Sequence, residues 1–482
     1  MKTKYLHILI GFALAVFTFF LLKYAGNMSS AKMAFVIVLM AYYWISEALP
    51  LPATSLLPIV LFPLLGITDI ATTTAYYGKP VIYLFLGGFI LALALEKTNL
   101  HERIALFILK KTGGKPSQLI LGFMIASAFL SMWISNTAAV MVMLPIGISV
   151  LSEAKHVQLP EKHFNNISIA LMLGIAYAAN VGGMATLIGT APNMVFKEIY
   201  EDSFNTVFGF SDWFLHATPL VLILFILIWI MLTKIIFKQT QEQIIHKSEI
   251  EEKYRLLGKI SIDEKRTAAV FLLAIILWLT GNNLQLSDSV TIKGWRELFG
   301  IPEFKDASVA ILCALLLFVL PSQKSGNKNP IIDWEDTKKI PWGILLLFGG
   351  GFAIAGGFTI SGLSEMVASF FSGIQDLSII TIIFTVSIFI TFVTEITSNT
   401  AITTLTMPLL AGIASMSNID PLLLMFPATI SASCAFMMPT ATPPQAIVFS
   451  SGYIPIRTMN KTGFFINIIS ALAITAYTYL II

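Results

Sequence analysis

The chain has 482 residues, of which 56% are hydrophobic and only 12% charged, with a mean hydropathy of +0.82. That composition excludes an ordinary soluble domain and specifies an all-α polytopic membrane protein. A net charge of +3, with basic residues scattered over loops, excludes a nucleic-acid-binding surface.

A run of about 20 apolar residues spans a bilayer as a helix. In chain order such runs fall at 5–24, 31–48, 50–66, 80–111, 164–200, 212–237, 265–285, 306–320, 341–372, 420–450 and 461–482. They predict about 11 transmembrane helices. The first, from Leu6 to Leu22, lacks a small-residue cleavage motif and reads as a spanning helix rather than a leader. Two stretches do not fit as single spans. Residues 116–151 and 377–416 are each too long, and each carries a polar tripeptide near its middle. Each reads as a re-entrant hairpin of two short helices with the tripeptide at its tip. Such a tip is tolerated only if buried in protein or facing a water-filled cavity. The runs 164–200 and 420–450 contain Thr-x-Pro breaks and predict discontinuous helices.

The two halves repeat one another. Ser135-Asn136-Thr137 and Ser398-Asn399-Thr400 are offset by 263 residues, as are Phe85 of LFLGGF and Phe348 of LFGGGF. Downstream, Gly189-Thr190-Ala191-Pro192-Asn193 resembles Ala441-Thr442-Pro443-Pro444-Gln445 at an offset of 252. Corresponding broken apolar segments in two halves point to the binding site of a secondary transporter. With the N-terminus in the cytoplasm and both hairpins returning to their side of entry, 23 of the 30 Lys and Arg fall inside, Lys155, Lys247, Lys324 and Lys328 among them. This obeys the positive-inside rule, makes the repeats inverted, and puts the C-terminus outside. The segment from Lys234 to Arg266 mixes acidic and basic residues and reads as a cytoplasmic amphipathic linker between the halves, with a solvated face. Cys313 and Cys434 lie inside apolar runs and read as packed thiols.

Hairpin tips and helix breaks expose backbone N–H groups at helix N-termini and carbonyls at C-termini, suited to anions and small cations respectively. No Arg, Lys or His lies in either tripeptide or either Thr-x-Pro motif. An anion bound there would rely on amides, hydroxyls, helix ends and accompanying cations, which favours cotransport. Hydroxyl and carbonyl oxygens make a reasonable Na⁺ cage and a poor redox-metal site. Glu395 and Glu47 are the carboxylates to weigh for proton coupling. Glu395 reads either as a structural group bonded to hairpin N–H groups or as a proton or discriminating site. An intramembrane hydrolase built on Ser131, Ser135 or Ser398 lacks a nearby general base, so no enzyme is expected. A channel fits inverted repeats less well than alternating access does.

At these residues the chain resembles the divalent anion–sodium symporters. The resemblance rests on WISEALPLPATSLLP, LFLGGF, both SNT hairpins, GGMATLIGTAPN and SASCAFMMPTATPPQAIVFSSG, and covers nearly the whole chain. It implies Na⁺-coupled uptake of C4-dicarboxylates (succinate, malate, fumarate), with a sodium-independent exchanger or a citrate or sulfate carrier as alternatives. It implies substrate contacts from Ser135, Asn136, Thr137, Thr190, Ser398, Asn399, Thr400, Thr442 and Pro443. One Na⁺ site would use Ser131, Ser135, Asn136 and backbone at Gly189. The other would use Thr394, Thr397, Asn399 and backbone at Ala441. It also implies a homodimer in a bacterial-type inner membrane, working as an elevator. Segments 1–112 and 265–373 would form the scaffold, 113–240 and 374–482 the transport domain, and 241–264 the linker. Gln445 departs from the Asn expected there, which bears on substrate size and the second cation site.

Overall fold

The computed structural model describes residues 2–24, 27–154, 160–240, 248–287, 290–323, 329–370 and 377–482. The four lysines named above as Lys155, Lys247, Lys324 and Lys328, the end of the run 341–372 and the start of the linker lie outside the described residues.

α1 (Lys2–Tyr24) and α2 (Met28–Ser46) pack along each other. Asn27 starts α2 by accepting a hydrogen bond from the Ser30 N–H at 3.0 Å. α2 ends at Glu47, which is left-handed at φ 48°. The predicted span 50–66 is two shorter pieces, α3 (Leu51–Thr54) and α4 (Leu57–Leu65), because its prolines interrupt the backbone ladder. α5 (Ile70–Ala75) leads into α6 (Pro80–Lys97).

The run 80–111 is likewise not one helix. It breaks at left-handed Asn99, φ 61°, into α6 and the basic, amphipathic α7 (Leu100–Lys111). Then come α8 (Pro116–Ser131), α9 (Asn136–Ala154), α10 (Glu161–Gly183), α11 (Ala191–Phe204) and α12 (Phe210–Ile230), which continues as a π-helical turn over Met231–Ile236. α13 (Ser248–Leu256) belongs to the linker and is amphipathic, with Glu251, Glu252 and Arg255 exposed on its solvated side. α13 packs on α7 with Ile250 buried, and Arg103 of α7 donates to the carbonyls of Leu257 and Gly258 and to Glu264. An arginine with three acceptors of fixed geometry docks what composition alone presents as a polar connector.

α14 (Ile262–Leu279) stops short of the predicted 285. The chain continues as an antiparallel ribbon, β1 (Leu284–Ser287) with β2 (Val290–Ile292), which the all-helical reading did not anticipate. α15 (Trp295–Leu298) and α16 (Asp306–Val319) follow. The run 341–372 also divides. α17 (Trp342–Ile360) ends at left-handed Gly362, φ 69°, and α18 (Leu363–Phe370) begins beyond it. The chain closes with α19 (Ile379–Val393), α20 (Asn399–Ser417), α21 (Pro421–Ala432), α22 (Pro443–Ser450) and α23 (Ile456–Ile481).

The repeat is thus carried by the backbone. α7, α8, α9 and their counterparts α18, α19, α20 start 263 residues apart, and so do the breaks at Asn99 and Gly362. α11 and α22 start 252 apart. Phe85 and Phe348, equivalent by the same offset, meet edge-on at 5.2 Å, so the two halves face each other across this pair. Crosswise contacts obey the same relation: α9 packs on α22 and α11 on α20. Among the described residues nine helices are long and apolar enough to cross a membrane. Seven of them match predicted spans; the other two are α9 and α20, the second arms of the hairpins. Cys313 and Cys434 are buried free thiols, as their apolar surroundings suggest.

Candidate functional site

Both tripeptides open the second arm of their hairpin. α8 closes at Ser131 and α9 starts at Asn136; α19 closes at Val393 and α20 starts at Asn399. Each tip is held by the same bond. Ser131 Oγ donates to Asn136 Oδ1 at 2.5 Å, and Thr394 Oγ1 donates to Asn399 Oδ1 at 2.7 Å. A hydroxyl from the first arm therefore fixes the amide that starts the second. Each tip is also tied to a broken helix. Thr186 Oγ1 donates to the Met132 carbonyl at 2.5 Å, and Thr394 Oγ1 sits 2.8 Å from the Ala432 carbonyl.

The breaks have their own supports. Asn193 Nδ2 donates to the carbonyls of Thr186 at 2.7 Å and Gly183 at 3.1 Å, tying the last residue of α10 to the irregular backbone that follows it. Gln445, its counterpart, donates to the Ala435 carbonyl. Both side chains are fully buried behind the site and neither lines the cavity. Gln445 in place of Asn therefore bears on the second break and not directly on substrate size. Trp213 Nε1 donates to the Met184 carbonyl at 2.9 Å, and the Tyr177 hydroxyl to the Phe436 carbonyl at 2.7 Å.

Glu395 has backbone N–H partners of the kind the structural reading expects, on a different segment. Its oxygens accept from the backbone N–H groups of Phe436, Met437 and Met438 at 2.6, 2.9 and 3.0 Å, and from Asn467 Nδ2 at 2.7 Å. Those N–H groups belong to the break after α21 rather than to the hairpin itself. A carboxylate with four donors is a clamp on irregular backbone. Glu395 and Glu47 both line the cavity, Glu395 as a buried group and Glu47 with an exposed side chain.

All of this encloses one cavity of about 760 Å³. Its wall holds Ser135, Asn136, Thr137, Gly189 and Thr190 from the first half, and Thr397, Ser398, Asn399, Thr400, Ala441, Thr442 and Pro443 from the second. Ser131 and Thr394 are not on the wall; both are fully buried behind the asparagines they hold. The cavity also takes Trp44, Phe85, Phe89 and Ile344 from helices outside the hairpins. Sequence reading missed these, since an apolar side chain in an apolar helix carries no signal of facing a cavity. Asn180 was missed too, although an amide inside the run LGIAYAANVGG is a polar group at membrane depth.

The electrostatics follow from the backbone. α9, α20, α11 and α22 all begin at this wall, at Asn136, Asn399, Ala191 and Pro443. Helix N-termini carry partial positive charge and unpaired N–H groups. No Lys, Arg or His is among the residues that line the cavity. Beside the first tip, oxygens crowd a glycine. A Cβ on Gly183 would lie 2.5 Å from Asn136 Oδ1 and 3.1 Å from the Gly189 carbonyl. Amide, carbonyl and hydroxyl oxygens converge there in a space a methyl group would fill, a donor set that suits a hard monovalent cation.

Inverted halves, paired hairpins and a shared polar cavity between broken helices define a membrane protein of secondary-transporter architecture. Solved transporters share the fold. The Alcanivorax borkumensis YdaH transporter aligns at TM-score 0.56 with 14% identity, covering 85% of this chain and 86% of that one. Neisseria gonorrhoeae MtrF aligns at 0.59 with 13% identity, covering 88% and 84%.

The chain belongs to the family described as the sodium:sulfate symporter transmembrane region, which matches residues 2–481. The sodium-dependent dicarboxylate transporter SdcS of Staphylococcus saprophyticus is 40% identical over 474 residues, covering 97% of this chain and 89% of that protein. SdcS of Staphylococcus aureus is 40% identical over 445 residues, covering 91% and 83%. The family assignment agrees with the resemblance seen in the motifs.

Proposed function

We propose that this protein is a secondary active transporter, not an enzyme, that couples inward Na⁺ movement to uptake of C4-dicarboxylates such as succinate, malate and fumarate. The observation that carries this reading is four helix N-termini opening on one cavity lined without a basic side chain. Relatives at 40% identity bear the name sodium-dependent dicarboxylate transporter. Each helix terminus stabilises an anion by roughly 0.3–2 kcal/mol, so four supply about 1–8 kcal/mol. Taking two negative charges out of water costs several kcal/mol for each. Helix ends alone therefore hold a dianion poorly, and cations bound beside it make up the difference. That dependence is the physical basis of coupling.

In this reading Ser135, Asn136, Thr137, Thr190, Ser398, Asn399, Thr400, Thr442 and Pro443 meet the carboxylates. Ser131, Ser135, Asn136 and the Gly189 carbonyl hold one Na⁺. Thr394, Thr397, Asn399 and the Ala441 carbonyl hold the other. The hairpins with α10–α12 and α21–α23 slide as a body against α1–α7 and α14–α18. The protein works as a homodimer in a bacterial-type inner membrane, with its N-terminus in the cytoplasm and its C-terminus outside. Succinate uptake into proteoliposomes tests the proposal. Accumulation driven by inward Na⁺ and lost with choline is expected; uptake indifferent to the replacement refutes sodium coupling and favours exchange.

A further inference from the structure

One buried amide connects the two halves of the site. Asn180, on α10, is 1% exposed. Its Oδ1 faces Asn136 Nδ2 at 3.4 Å, and its Nδ2 faces Thr442 Oγ1 at 3.3 Å and Gln445 Oε1 at 3.2 Å. The polarity of this chain is set from both ends. Asn136 Oδ1 is taken by the Ser131 hydroxyl, so its nitrogen must point at Asn180. The Gln445 nitrogen is taken by the Ala435 carbonyl, so its oxygen must point back at Asn180. Asn180 can therefore only accept from the first half and donate to the second.

Two consequences follow. Thr442 Oγ1 accepts from Asn180, which leaves its own hydrogen free; Thr442 lines the cavity, where that hydrogen can serve a carboxylate oxygen. A cation on Asn136 Oδ1 polarises the Asn136 amide, and aligned hydrogen bonds pass such polarisation along. The relay has no twin, because the sequence of α21, Pro421–Ala432, contains neither Asn nor Gln.

We infer that Asn180 is a positioning residue that couples the cation held by the first hairpin to the substrate-binding hydroxyl of Thr442 in the second half. The inference rests on the Na⁺-coupled dicarboxylate reading. Its signature is the factor by which Na⁺ improves succinate affinity, which a merely structural residue does not alter.

The test compares wild type with Asn180→Leu, similar in volume and unable to hydrogen-bond. Succinate half-saturation is measured at low and at saturating Na⁺ in proteoliposomes, with thermal stabilisation by Na⁺ alone measured in detergent. Couplings between sites commonly amount to about 5–150-fold. The wild type is expected to show roughly tenfold or more, and the variant less than about threefold, while Na⁺ alone still stabilises it. If Asn180→Leu does not fold, Asn180→Ser, too short to reach both neighbours, is expected to give the same loss. Full coupling in a folded variant overturns this inference and leaves the function standing. Loss of the Na⁺ stabilisation as well places Asn180 in the cation site and also overturns it. A wild type without Na⁺-dependent succinate uptake overturns both.

Discussion

Gly183→Ala is the sharpest single probe of the first cation site. The added Cβ would stand 2.5 Å from Asn136 Oδ1 and 3.1 Å from the Gly189 carbonyl. Carbon–oxygen contacts settle near about 3.3 Å, so the Asn136 oxygen must give way by about 0.8 Å. It cannot do so freely, because Ser131 and Asn180 grip the same amide. Overpacking of this kind costs about 1–3 kcal/mol, or roughly 5–150-fold in an equilibrium constant. The expected outcome is a Na⁺ half-saturation raised about tenfold or more, with succinate half-saturation at saturating Na⁺ changed by under about threefold. Two other glycines calibrate the assay. Gly182→Ala drives its Cβ to 2.2 Å from the Ala128 backbone carbonyl and is expected to damage folding itself. Gly412→Ala meets nothing closer than 3.4 Å and is expected to be silent. A folded Gly183→Ala protein with wild-type Na⁺ dependence refutes the placement of the cation beside Asn136.

Asn136→Ala and Asn399→Ala should each abolish succinate uptake while leaving expression and dimerisation intact; near-normal uptake in either removes that residue from the site. Glu395→Gln replaces a carboxylate holding four donors with a group that turns an N–H₂ toward one of them. It should lower stability by about 2–4 kcal/mol, read as a lower thermal midpoint, and leave the shape of the pH–transport profile unchanged. A lost pH dependence with unchanged stability would reinstate a proton role. Lys79, before α6, reaches Glu198 at 3.1 Å and Asp202 at 2.6 Å on α11, joining the proposed scaffold to the proposed moving body. In Lys79→Cys/Asp202→Cys, a short bis-maleimide should stop transport, with Cys313 and Cys434 too buried to interfere. Full transport after complete cross-linking would exclude sliding of α11 past α6.

The parts of the fold legible in the sequence were those where a polar group interrupts membrane-grade sequence. The SNT tips and Thr-x-Pro breaks stood out because an unsatisfied polar group at depth is costly and therefore rare. They fell where the spacing put them, on one cavity wall. What stayed hidden was hidden for two reasons. Asn99 and Gly362 end α6 and α17 through a left-handed backbone, yet each is one residue in a long apolar run, so periodicity carried the span straight through. Docking of α13 depends on Arg103, far away in sequence, and no local pattern announces such a partner. Gln445 stood out in the sequence as a departure from the Asn expected opposite Asn193; the structure gives both the same task, holding the carbonyls of a break.

The departures from symmetry say more about mechanism than the symmetry does. At the first break, backbone is held by the Thr186 hydroxyl and by Asn193, both neutral. At the second, Thr394 and Gln445 take the carbonyls in the same way, and Glu395 is added on the N–H groups, its negative charge offset by three of them and an amide. Position 132, the counterpart of Glu395, is a methionine that offers only its backbone carbonyl. In the proposed reading, a fixed carboxylate beside the second tip lowers the cost of a cation there and raises that of an anion, so the two proposed cation sites are expected to differ in affinity, the second being the stronger. The neutral first site must depend more on the oxygens that converge at Gly183, which is why one methyl group there is expected to weaken Na⁺ so strongly. Asn180 then gives that weaker site a route to the substrate that the stronger one lacks.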